Sequence, residues 1–445
     1  MTQQNYGWIA LLLLMLPDLL VAQTKSREQK VREDRSKVEQ AGFWIYNDLP
    51  LAFQRAEATK KPLIVVLRCI PCEECVKLDD ELVDQDPAIR PLLEQFVCVR
   101  VVATNGLDLS LFQYDTDQSF AVFMLNADKT IYGRFGTRSH RTDWLGDVSL
   151  AGLRVALEGA LELHRDYPAN KLTLAGKRGP APLFPTPEKF PSLAEKYTSS
   201  LNYEGNVVQS CIHCHQIGDA QRQFYRDQQQ PLPEEVLFPY PHPKSLGLVL
   251  DPHERATVKE VSPQSLAAAA GFQAGDRIKR LAGQPLLSMA DVQWVLHITP
   301  AGSEALKAEV ERNGQQFELV LKLSNGWRRL GDLSWRSSSW GLRRMTTGGM
   351  FLEPLPEHDR QRLNISAEKM ALFAKHVGEY GAHAAAKKAG FRKGDVVIEF
   401  DGRSDLLREA DLFLYGTTRR KAEERVPVVI LRDGQRIELN LPMQK

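Results

Sequence analysis

The apolar positions of the chain predict alternating helices and strands over residues 43–167. Periodic apolar residues mark the helices, and uninterrupted apolar and β-branched runs mark buried strands. The first helix is expected to end before Pro62, because proline cannot continue it. The predicted elements are a helix over 49–56, buried strands over 63–67 and 96–102, a hairpin of strands over 120–125 and 130–135, and a helix over 150–161.

Three of the chain's six cysteines, Cys69, Cys72 and Cys75, fall within one short stretch after the first buried strand. Cys75, Leu78 and Leu82 recur at helical spacing, so the thiols lie where a strand leads into a helix. The positive end of a helix dipole lowers the pKa of a thiol placed there. A Cys-x-x-Cys in this position indicates a redox site. A soft metal such as Cu(I) is the alternative ligand of three close thiols.

The order helix, strand, helix, strand, hairpin, helix, with Cys72-x-x-Cys75 after the first strand, resembles a thioredoxin-like domain over residues 43–167. Lys-Lys-Pro at 60–62 is similar to the same region of exported thioredoxin-like proteins. The resemblance implies that Cys72 is the attacking thiolate and that Cys75, or Cys69, resolves the intermediate.

A second cysteine motif, Cys211-x-x-Cys214-His215, has the attachment signature of a c-type haem. Two thiols at this spacing reach the two vinyl groups of one haem, and His215 would be an axial ligand of the iron. The sequence therefore predicts haem c at this motif. A local disulfide, or a zinc ion bound with His213, His215 or His242, is the alternative.

An internal repeat occupies the last two hundred residues. Ala-Gly-Phe-x-x-Gly-Asp at 270–276 recurs at 389–395, and the Arg-x-Gly-Gln at 312–315 recurs at 432–435. The pattern resembles PDZ domains of exported bacterial proteins. Such domains bind a partner's terminal carboxylate at an apolar-Gly-apolar loop and add the partner as a strand at a sheet edge.

This second resemblance implies two peptide-binding loops. Leu246-Gly247-Leu248 is the loop of the first copy, and Trp340-Gly341-Leu342 is the loop of the second copy. Ser288 is expected to cap the helix beside the first groove. The alternative is that one or both grooves are filled by the protein's own loops.

The apolar run from Trp8 to Ala22 is too short to span a bilayer comfortably and predicts a secretory signal peptide, or an anchor if it is not cleaved. Export predicts a periplasmic or other extracytoplasmic location, with membrane contact only through this segment. The formal charge of +1 leaves no basic footprint for nucleic acid. No Gly-x-Ser-x-Gly elbow is evident, so the PDZ pair brings no protease site with it.

The predicted fold is multidomain, with a thioredoxin-like α/β domain, a short mainly helical haem-motif segment and two β-rich PDZ-like domains. In chain order we expect a signal peptide or anchor (1–22), a charged spacer best described as a mobile linker (23–42), the thioredoxin-like domain (43–167), a proline-rich linker (168–193), the Cys-x-x-Cys-His segment (194–240), a first PDZ domain (241–325) and a second with an insertion (326–445).

Together these features resemble the thioredoxin/PDZ multidomain family of exported bacterial proteins, some of which are selenoproteins. The resulting hypothesis is an extracytoplasmic thiol–disulfide and electron-transfer protein whose PDZ domains recruit a protein partner. The alternative is a non-enzymatic PDZ scaffold with structural or metal-binding cysteines. Residues 119–121 lack the proline that thioredoxins place before the hairpin, which favours the scaffold.

Overall fold

The computed structural model of the protein describes four stretches of the chain, residues 25–68, 86–118, 120–137 and 147–445. The predicted signal segment, the Cys69–Cys75 motif and Ser119 lie outside these residues. Among the helices that are described, none combines the length and the apolar character needed to cross a membrane.

The N-terminal domain is built around one mixed sheet. Its described elements, numbered in chain order, are α1 (Arg27–Ala41), β1 (Ile45–Tyr46), α2 (Leu49–Thr59), β2 (Leu63–Arg68), α3 (Arg90–Leu93), β3 (Val97–Val101), β4 (Phe120–Leu125), β5 (Ile131–Thr137) and α4 (Leu150–Arg165). The strand order is β1-β3-β2-β4-β5, with the first three strands parallel and the β4–β5 hairpin antiparallel. All residues of β2, β3 and β4 are buried, which confirms the predicted buried strands and the hairpin.

Helix α1 packs against this domain, which corrects the description of residues 23–42 as a mobile linker. A capping box begins the helix, and Val31 and Val38 are buried on one side of it. Asp34 on the same side lies 2.8 Å from the guanidinium of Arg68 at the end of β2. The apolar positions of α1 are too few for a strong helical pattern, so its packed side was not recognisable from the sequence.

The stretch after α4 is also packed. Its helices are α5 (Lys171–Leu174), α6 (Pro191–Ala194), α7 (Cys214–Asp227) and α8 (Glu234–Leu237). Lys177 and Phe190 are only 1% and 3% exposed, so the proline-rich residues 168–193 are not a free linker. Proline restricts this stretch to short helical turns and extended pieces, which lie on the thioredoxin-like domain.

The two C-terminal domains share one order of elements. The first contains β6 (Leu248–Leu250), β7 (Val258–Val261), α9 (Leu266–Ala269), β8 (Arg277–Leu281), β9 (Gln284–Pro285), α10 (Met289–Ile298), β10 (Glu304–Arg312) and β11 (Gln315–Leu323). The second contains α11 (Ser339–Thr347), β12 (Met350–Pro354), α12 (Glu357–Arg362), β13 (Leu372–Val377), α13 (Ala385–Lys388), β14 (Val396–Phe400), α14 (Glu409–Arg419), β15 (Arg425–Arg432) and β16 (Gln435–Pro442). The insertion of the second copy lies between β12 and β13, where it forms α12.

The repeated sequence motifs form the same contact in both copies. Arg312 donates to the two carboxylate oxygens of buried Asp276 at 2.6 and 2.8 Å, and Arg432 donates to those of buried Asp395 at 2.8 and 2.8 Å. Each arginine also donates to the carbonyl of the motif's first glycine at 2.9 Å. A bidentate, charge-assisted pair of this kind holds the last hairpin onto the motif. The repeat is therefore structural.

The first PDZ domain is docked on the thioredoxin-like domain through α10. Asp291 on this helix lies 2.8 Å from the ammonium of Lys177, and both side chains are 1% exposed. The indole of Trp294 donates to the carbonyl of Gly176 at 2.9 Å, and the guanidinium of Arg134 stacks 3.9 Å from the Trp294 ring centre. Because these groups come from different parts of the chain, the two domains form one packed body in this region.

Candidate functional site

The predicted catalytic thiols Cys69, Cys72 and Cys75 lie outside the described residues, but the structure describes the strand that leads to them. β2 ends at Arg68, the residue before Cys69. The Arg68 side chain is fully buried and pairs with Asp34 of α1. Sequence reasoning missed Asp34, since a highly polar helix gives no sign of which carboxylate is buried.

The Cys-x-x-Cys-His segment lies at the same edge of the sheet as the end of β2. One cavity is lined by Leu67 and Arg68 of β2, by Val101 at the end of β3 and residues 102–104 after it, and by residues 211–214. Its volume is about 10 Å³, which holds roughly one water molecule. The fold thus brings Cys211 to the end of β2, although it lies 143 residues after Arg68 in the sequence.

Hydrogen bonds hold this segment in place. The carbonyl of Ile212 accepts from the backbone N–H and the hydroxyl of Thr104 at 3.3 and 2.8 Å, and the Ile212 N–H donates to the Asn105 side chain at 2.8 Å. Glu28 of α1 accepts from the N–H groups of residues 207 and 208 at 3.1 and 2.9 Å. The position of the thiols relative to β2 and β3 is therefore set by a network of backbone contacts.

The two thiols of this segment have different surroundings. Cys211 is 7% exposed, and burial together with the nearby Cys214 raises the pKa of its thiol to about 12. Burial also raises the pKa of Cys214, but the Tyr114 hydroxyl donates a hydrogen bond to its sulfur at 3.1 Å and opposes that shift. Both groups are therefore neutral thiols near pH 7, and Cys214 has the better stabilised thiolate.

Of the two histidines in this segment, His215 is exposed and His213 is partly buried. The side chain of His215 is 48% exposed, and its Nδ1 lies 3.8 Å from a carboxylate oxygen of Asp219. The rings of His213 and His215 stack with their centres 5.9 Å apart, and burial lowers the pKa of His213. In the part of the chain that the structure describes, no group of three His, Cys, Asp or Glu side chains is arranged for a metal ion.

The cavity that Cys211 and Cys214 themselves line is too small for a haem. Pockets for cofactors of this kind have volumes of about 300–1,000 Å³, whereas this cavity measures about 10 Å³. Cys211 is buried among protein groups, and the sulfur of Cys214 is in contact with Tyr114. The sequence prediction of haem c, with His215 as the iron ligand, stays a prediction, and an absorption spectrum is its test.

A larger cleft of about 720 Å³ lies next to the thiol cavity. It is bounded by the loop before β4, by α7 and by α10, and Phe112, Tyr114, Arg222 and Trp294 are among its lining residues. Tyr114 lines the cleft, and its hydroxyl donates to the Cys214 sulfur, which connects the cleft to the second cysteine motif. No sequence pattern singles out this tyrosine, which lies 100 residues from Cys214.

In the first PDZ domain, the predicted loop Leu246-Gly247-Leu248 leads directly into β6. Gly247 has φ of +88°, and the Ser262 N–H donates to its carbonyl at 2.9 Å. Among the described strands β6 pairs with β7 alone, so its other edge has no strand partner. Ser288 caps α10 as predicted, accepting from the Ala290 N–H at 3.0 Å. The loop thus has the place in the fold that peptide binding requires.

The second PDZ domain differs from the sequence prediction. Trp340-Gly341-Leu342 does not form a loop before a strand, because all three residues lie in the first turn of α11. The position equivalent to Gly247 is Gly349, which has φ of +90° and directly precedes β12. The apolar-Gly-apolar pattern selected the wrong glycine, because α11 takes the place of the short turn at the corresponding point of the first copy.

The edge of β12 is covered by the domain's own side chains. The Leu352 N–H donates to Glu409 of α14 at 2.9 Å, and the same carboxylate accepts from Arg343 of α11 at 3.0 and 2.8 Å. Burial raises the pKa of Glu409, and the pairing with Arg343 opposes this shift. The backbone donor that an added strand would need is therefore already in use.

Comparison with known proteins agrees with this architecture. Residues 44–127 match the family model described as thioredoxin-like, and residues 257–307 match the model of the PDZ domain. The chain carries a thioredoxin-like domain and a PDZ domain. The observed sheets and the two matches together confirm the predicted multidomain fold class.

Similarity to individual proteins is confined to part of the chain. A stretch of 70 residues is 39% identical to the regulator of sigma-E protease RseP of Escherichia coli K12 and spans 16% of this chain and 15% of RseP. Two structures of the HtrA-type protease AlgW are also similar. The one with a decapeptide has 13% identity and a TM-score of 0.19 and covers 33% of this chain and 50% of that chain. The one with a tripeptide has 12% identity and a TM-score of 0.20, covering 33% and 54%.

Proposed function

We propose that the chain is an extracytoplasmic thiol–disulfide exchange protein that recruits its partner through the first PDZ domain. The thioredoxin-like match over residues 44–127 carries this proposal, because Cys72-x-x-Cys75 lies within it, shortly after the buried strand β2. A thioredoxin-like domain together with a PDZ domain fits a redox role with partner binding. The export signal is supported by the apolar run that ends at Ala22.

In the proposed reaction, the thiolate of Cys72 attacks a disulfide of the partner and forms a mixed disulfide, and one partner thiol leaves. Cys75 or Cys69 then attacks the mixed disulfide, so the partner is released as a dithiol and the motif becomes a disulfide. Two electrons pass from this chain to the partner. The PDZ domain raises the local concentration of the partner at the thiols.

Replacing Cys72 with serine is expected to abolish the mixed disulfide with a model peptide disulfide, because a thiolate is the nucleophile and a hydroxyl is not. The adduct is measured by mass spectrometry of the intact, acid-quenched protein. Cys98→Ser is the matched control, since Cys98 is buried on β3 and should leave the adduct unchanged. An adduct of normal yield in Cys72→Ser would show that another thiol attacks.

A non-enzymatic scaffold is the second candidate function, and the buried ion pairs between domains favour it. Asp291 with Lys177 joins the first PDZ domain to the stretch after α4, and Arg336 with Asp115 joins the segment before the second PDZ domain to the thioredoxin-like domain. All four side chains have little exposure. In a scaffold the motif thiols would be permanently bridged or unreactive. The adduct experiment separates the two functions, because a scaffold gives no adduct even with all cysteines present.

We expect the full chain to bind one equivalent of a PDZ-type peptide with a free terminal carboxylate, because Glu409 already occupies the strand edge of the second domain. Calorimetric titration with a selected peptide measures the stoichiometry. The same peptide with an amidated terminus is the control ligand and should bind much more weakly. Trp340→Ala, at a partly exposed residue of α11, should not change binding. Two bound equivalents would show that the second groove opens.

A further inference from the structure

The cleft of about 720 Å³ beside the second cysteine motif takes no part in the proposed thiol chemistry. We propose that this cleft binds a small planar aromatic compound that carries a carboxylate group. Its volume lies in the range of about 300–1,000 Å³ that is usual for small-molecule sites. Binding at this site is a further function, because it depends neither on reactive thiols nor on a peptide in the first PDZ domain.

The walls of the cleft come from separate parts of the chain and are held together by hydrogen bonds. Helix α10 contributes Trp294 and His297, and residues 180–183 form another part of the wall. The side-chain amide of Gln113 donates to the carbonyl of Pro180 at 2.9 Å. Helix α7 contributes residues that share one face at helical spacing, namely Ile217, Gly218, Gln221, Arg222 and Tyr225. The cleft is therefore formed before a ligand arrives, which lowers the entropy cost of binding.

Aromatic side chains make up much of the lining. They are Phe112, Tyr114, Phe190, Tyr225, Tyr240 and Trp294. The ring of Tyr240 stacks on the ring of His297, with 3.9 Å between the ring centres and 21° between the planes. This contact fixes both rings in the wall. Aromatic rings pair favourably with one another in stacked and edge-to-face arrangements, so the lining suits a ligand with a planar aromatic body.

The polar group that selects a carboxylate is Arg222. This side chain lines the cleft and is only 2% exposed. Its Nη2 donates to Asp219 at 2.8 Å, whereas its buried Nε has no acceptor among the residues that the structure describes. A buried donor without an acceptor is unfavourable and rare. A bound carboxylate would supply the missing acceptor, and its two oxygens match the planar donor geometry of a guanidinium group.

Gly218 leaves space beside this guanidinium. A Cβ atom at position 218 would lie 3.5 and 3.7 Å from the Nη2 and Nη1 atoms of Arg222 and 3.2 Å from the hydroxyl of Thr116. Gly218, Arg222 and Thr116 all line the cleft. A side chain at position 218 would fill the space next to both polar groups, and glycine keeps it open for a ligand.

The other charged groups of the wall also favour an anion over a cation. Arg328 is 2% exposed, donates to main-chain carbonyls around the end of α10, and has a buried Nε without an acceptor in the described part of the chain. The carboxylate of Asp117 already accepts from Arg336 at 3.2 Å and from the Ser338 hydroxyl at 2.5 Å. Glu235, the other acidic lining residue, is exposed. The buried donors that still lack acceptors thus belong to arginines.

The test is a fluorescence titration of the full-length chain with 8-anilinonaphthalene-1-sulfonate, an aromatic anion whose emission rises in apolar surroundings. We expect one equivalent to bind per chain and to be displaced by 2-naphthoate. The uncharged 2-naphthamide has the same ring system and should displace the probe about tenfold less well, because a hydrogen bond to a charged group is stronger than one to a neutral group. Equal displacement by the two compounds would overturn the assignment of a carboxylate ligand.

Two variants locate the binding site. Arg222→Gln should weaken the binding of 2-naphthoate by about tenfold and change that of 2-naphthamide little. Gln221→Trp places a large side chain in the cleft at a half-buried position of α7, so it should abolish the binding of both compounds. Arg436→Gln is the control, since the Arg436 side chain is 63% exposed and lies outside the cleft. Circular dichroism and the urea midpoint show whether each variant is folded.

The results that would contradict the proposal are equally specific. Unchanged affinity in folded Gln221→Trp would place the probe elsewhere on the chain, even if Arg222→Gln does not fold. Displacement of the probe by a PDZ-type peptide, together with full binding in Gln221→Trp, would place the probe in the groove of the first PDZ domain. Either result would overturn the proposal and leave the proposed thiol chemistry untouched.

Discussion

Replacing Arg336 with methionine is expected to lower the free energy of unfolding by about 3–5 kcal/mol, because it leaves two buried carboxylates without their partner. Arg336 donates to both oxygens of Asp115 at 2.6 and 2.8 Å and to Asp117 at 3.2 Å. It also donates to the Pro239 carbonyl at 2.6 Å. The side chains of Arg336, Asp115 and Asp117 are 5%, 1% and 3% exposed.

The pair joins the segment before the second PDZ domain to the loop before β4 of the thioredoxin-like domain. Burial by itself lowers the pKa of Arg336, but Asp115 and Asp117 outweigh this effect and raise it. The arginine therefore stays charged. In Arg336→Met, stability is lost because the two buried carboxylates remain without their counter-ion. Arg336→Lys keeps the charge but cannot form the bidentate pair, so the free energy of unfolding should fall by only part of the amount expected for Arg336→Met.

Urea denaturation followed by tryptophan fluorescence measures the effect on Arg336→Met. Arg436→Met is the matched control, because Arg436 lies 3.1 Å from Glu399 in a pair whose side chains are 63% and 33% exposed. An exposed pair of this kind contributes about 0–1 kcal/mol. Equal urea midpoints for Arg336→Met and the unmodified chain would show that this contact does not couple the second PDZ domain to the thioredoxin-like domain.

The second large effect is expected at Asp291, whose replacement by asparagine should lower the free energy of unfolding by about 3–5 kcal/mol at pH 7. The substitution leaves the Lys177 ammonium, 1% exposed, without its counter-ion. Asparagine has nearly the same shape but a single acceptor oxygen, so it can accept from only one of the Arg134 and Leu287 N–H groups, which Asp291 binds at 3.2 and 2.9 Å through different oxygens. The loss therefore reports the charge together with one backbone hydrogen bond, while the packing is kept.

The decrease in the free energy of unfolding caused by Asp291→Asn should become smaller as the pH rises. Burial already lowers the pKa of Lys177, and loss of Asp291 lowers it further. Between the folded pKa and the unfolded pKa, the unfolded chain holds one proton more than the folded chain, so stability rises by about 1.4 kcal/mol per pH unit. At a pH below the folded pKa of Lys177, the full decrease in the free energy of unfolding remains.

Urea titrations of Asp291→Asn at several pH values up to 9 measure this slope. The double variant Asp291→Asn with Lys177→Met removes the unpaired charge, so it should recover stability and lose the pH dependence. A deficit that is the same at every pH would show that Lys177 stays charged in the folded variant and finds another partner.

Much of the secondary structure could be predicted because it follows from local patterns. The buried runs of β2 and β3, the β4–β5 hairpin around its polar turn, and α4 depend on residues that are neighbours in sequence. The internal repeat was also recognisable, since Arg312 with Asp276 and Arg432 with Asp395 use the same residue types at the same places.

The errors arose where the same pattern is compatible with two structures. Trp340-Gly341-Leu342 has the spacing of a peptide-binding loop but lies in α11. The charges of α1 suggested a solvated linker, although one of them, Asp34, is buried against Arg68. In both cases the deciding contact is made with a residue far away in the sequence.

By itself, the sequence determined the domain types, the order of the elements and the identity of the thiols that carry the proposed chemistry. Only the tertiary structure decided what Cys211 and Cys214 face. Cys211 and Cys214 reach the end of β2 because Thr104, Asn105 and Glu28 bind their segment across the sheet edge. Such contacts join groups more than a hundred residues apart, so no local spacing encodes them. The Cys-x-x-Cys-His spacing therefore predicts haem, but it does not show how closely the motif is packed against the sheet.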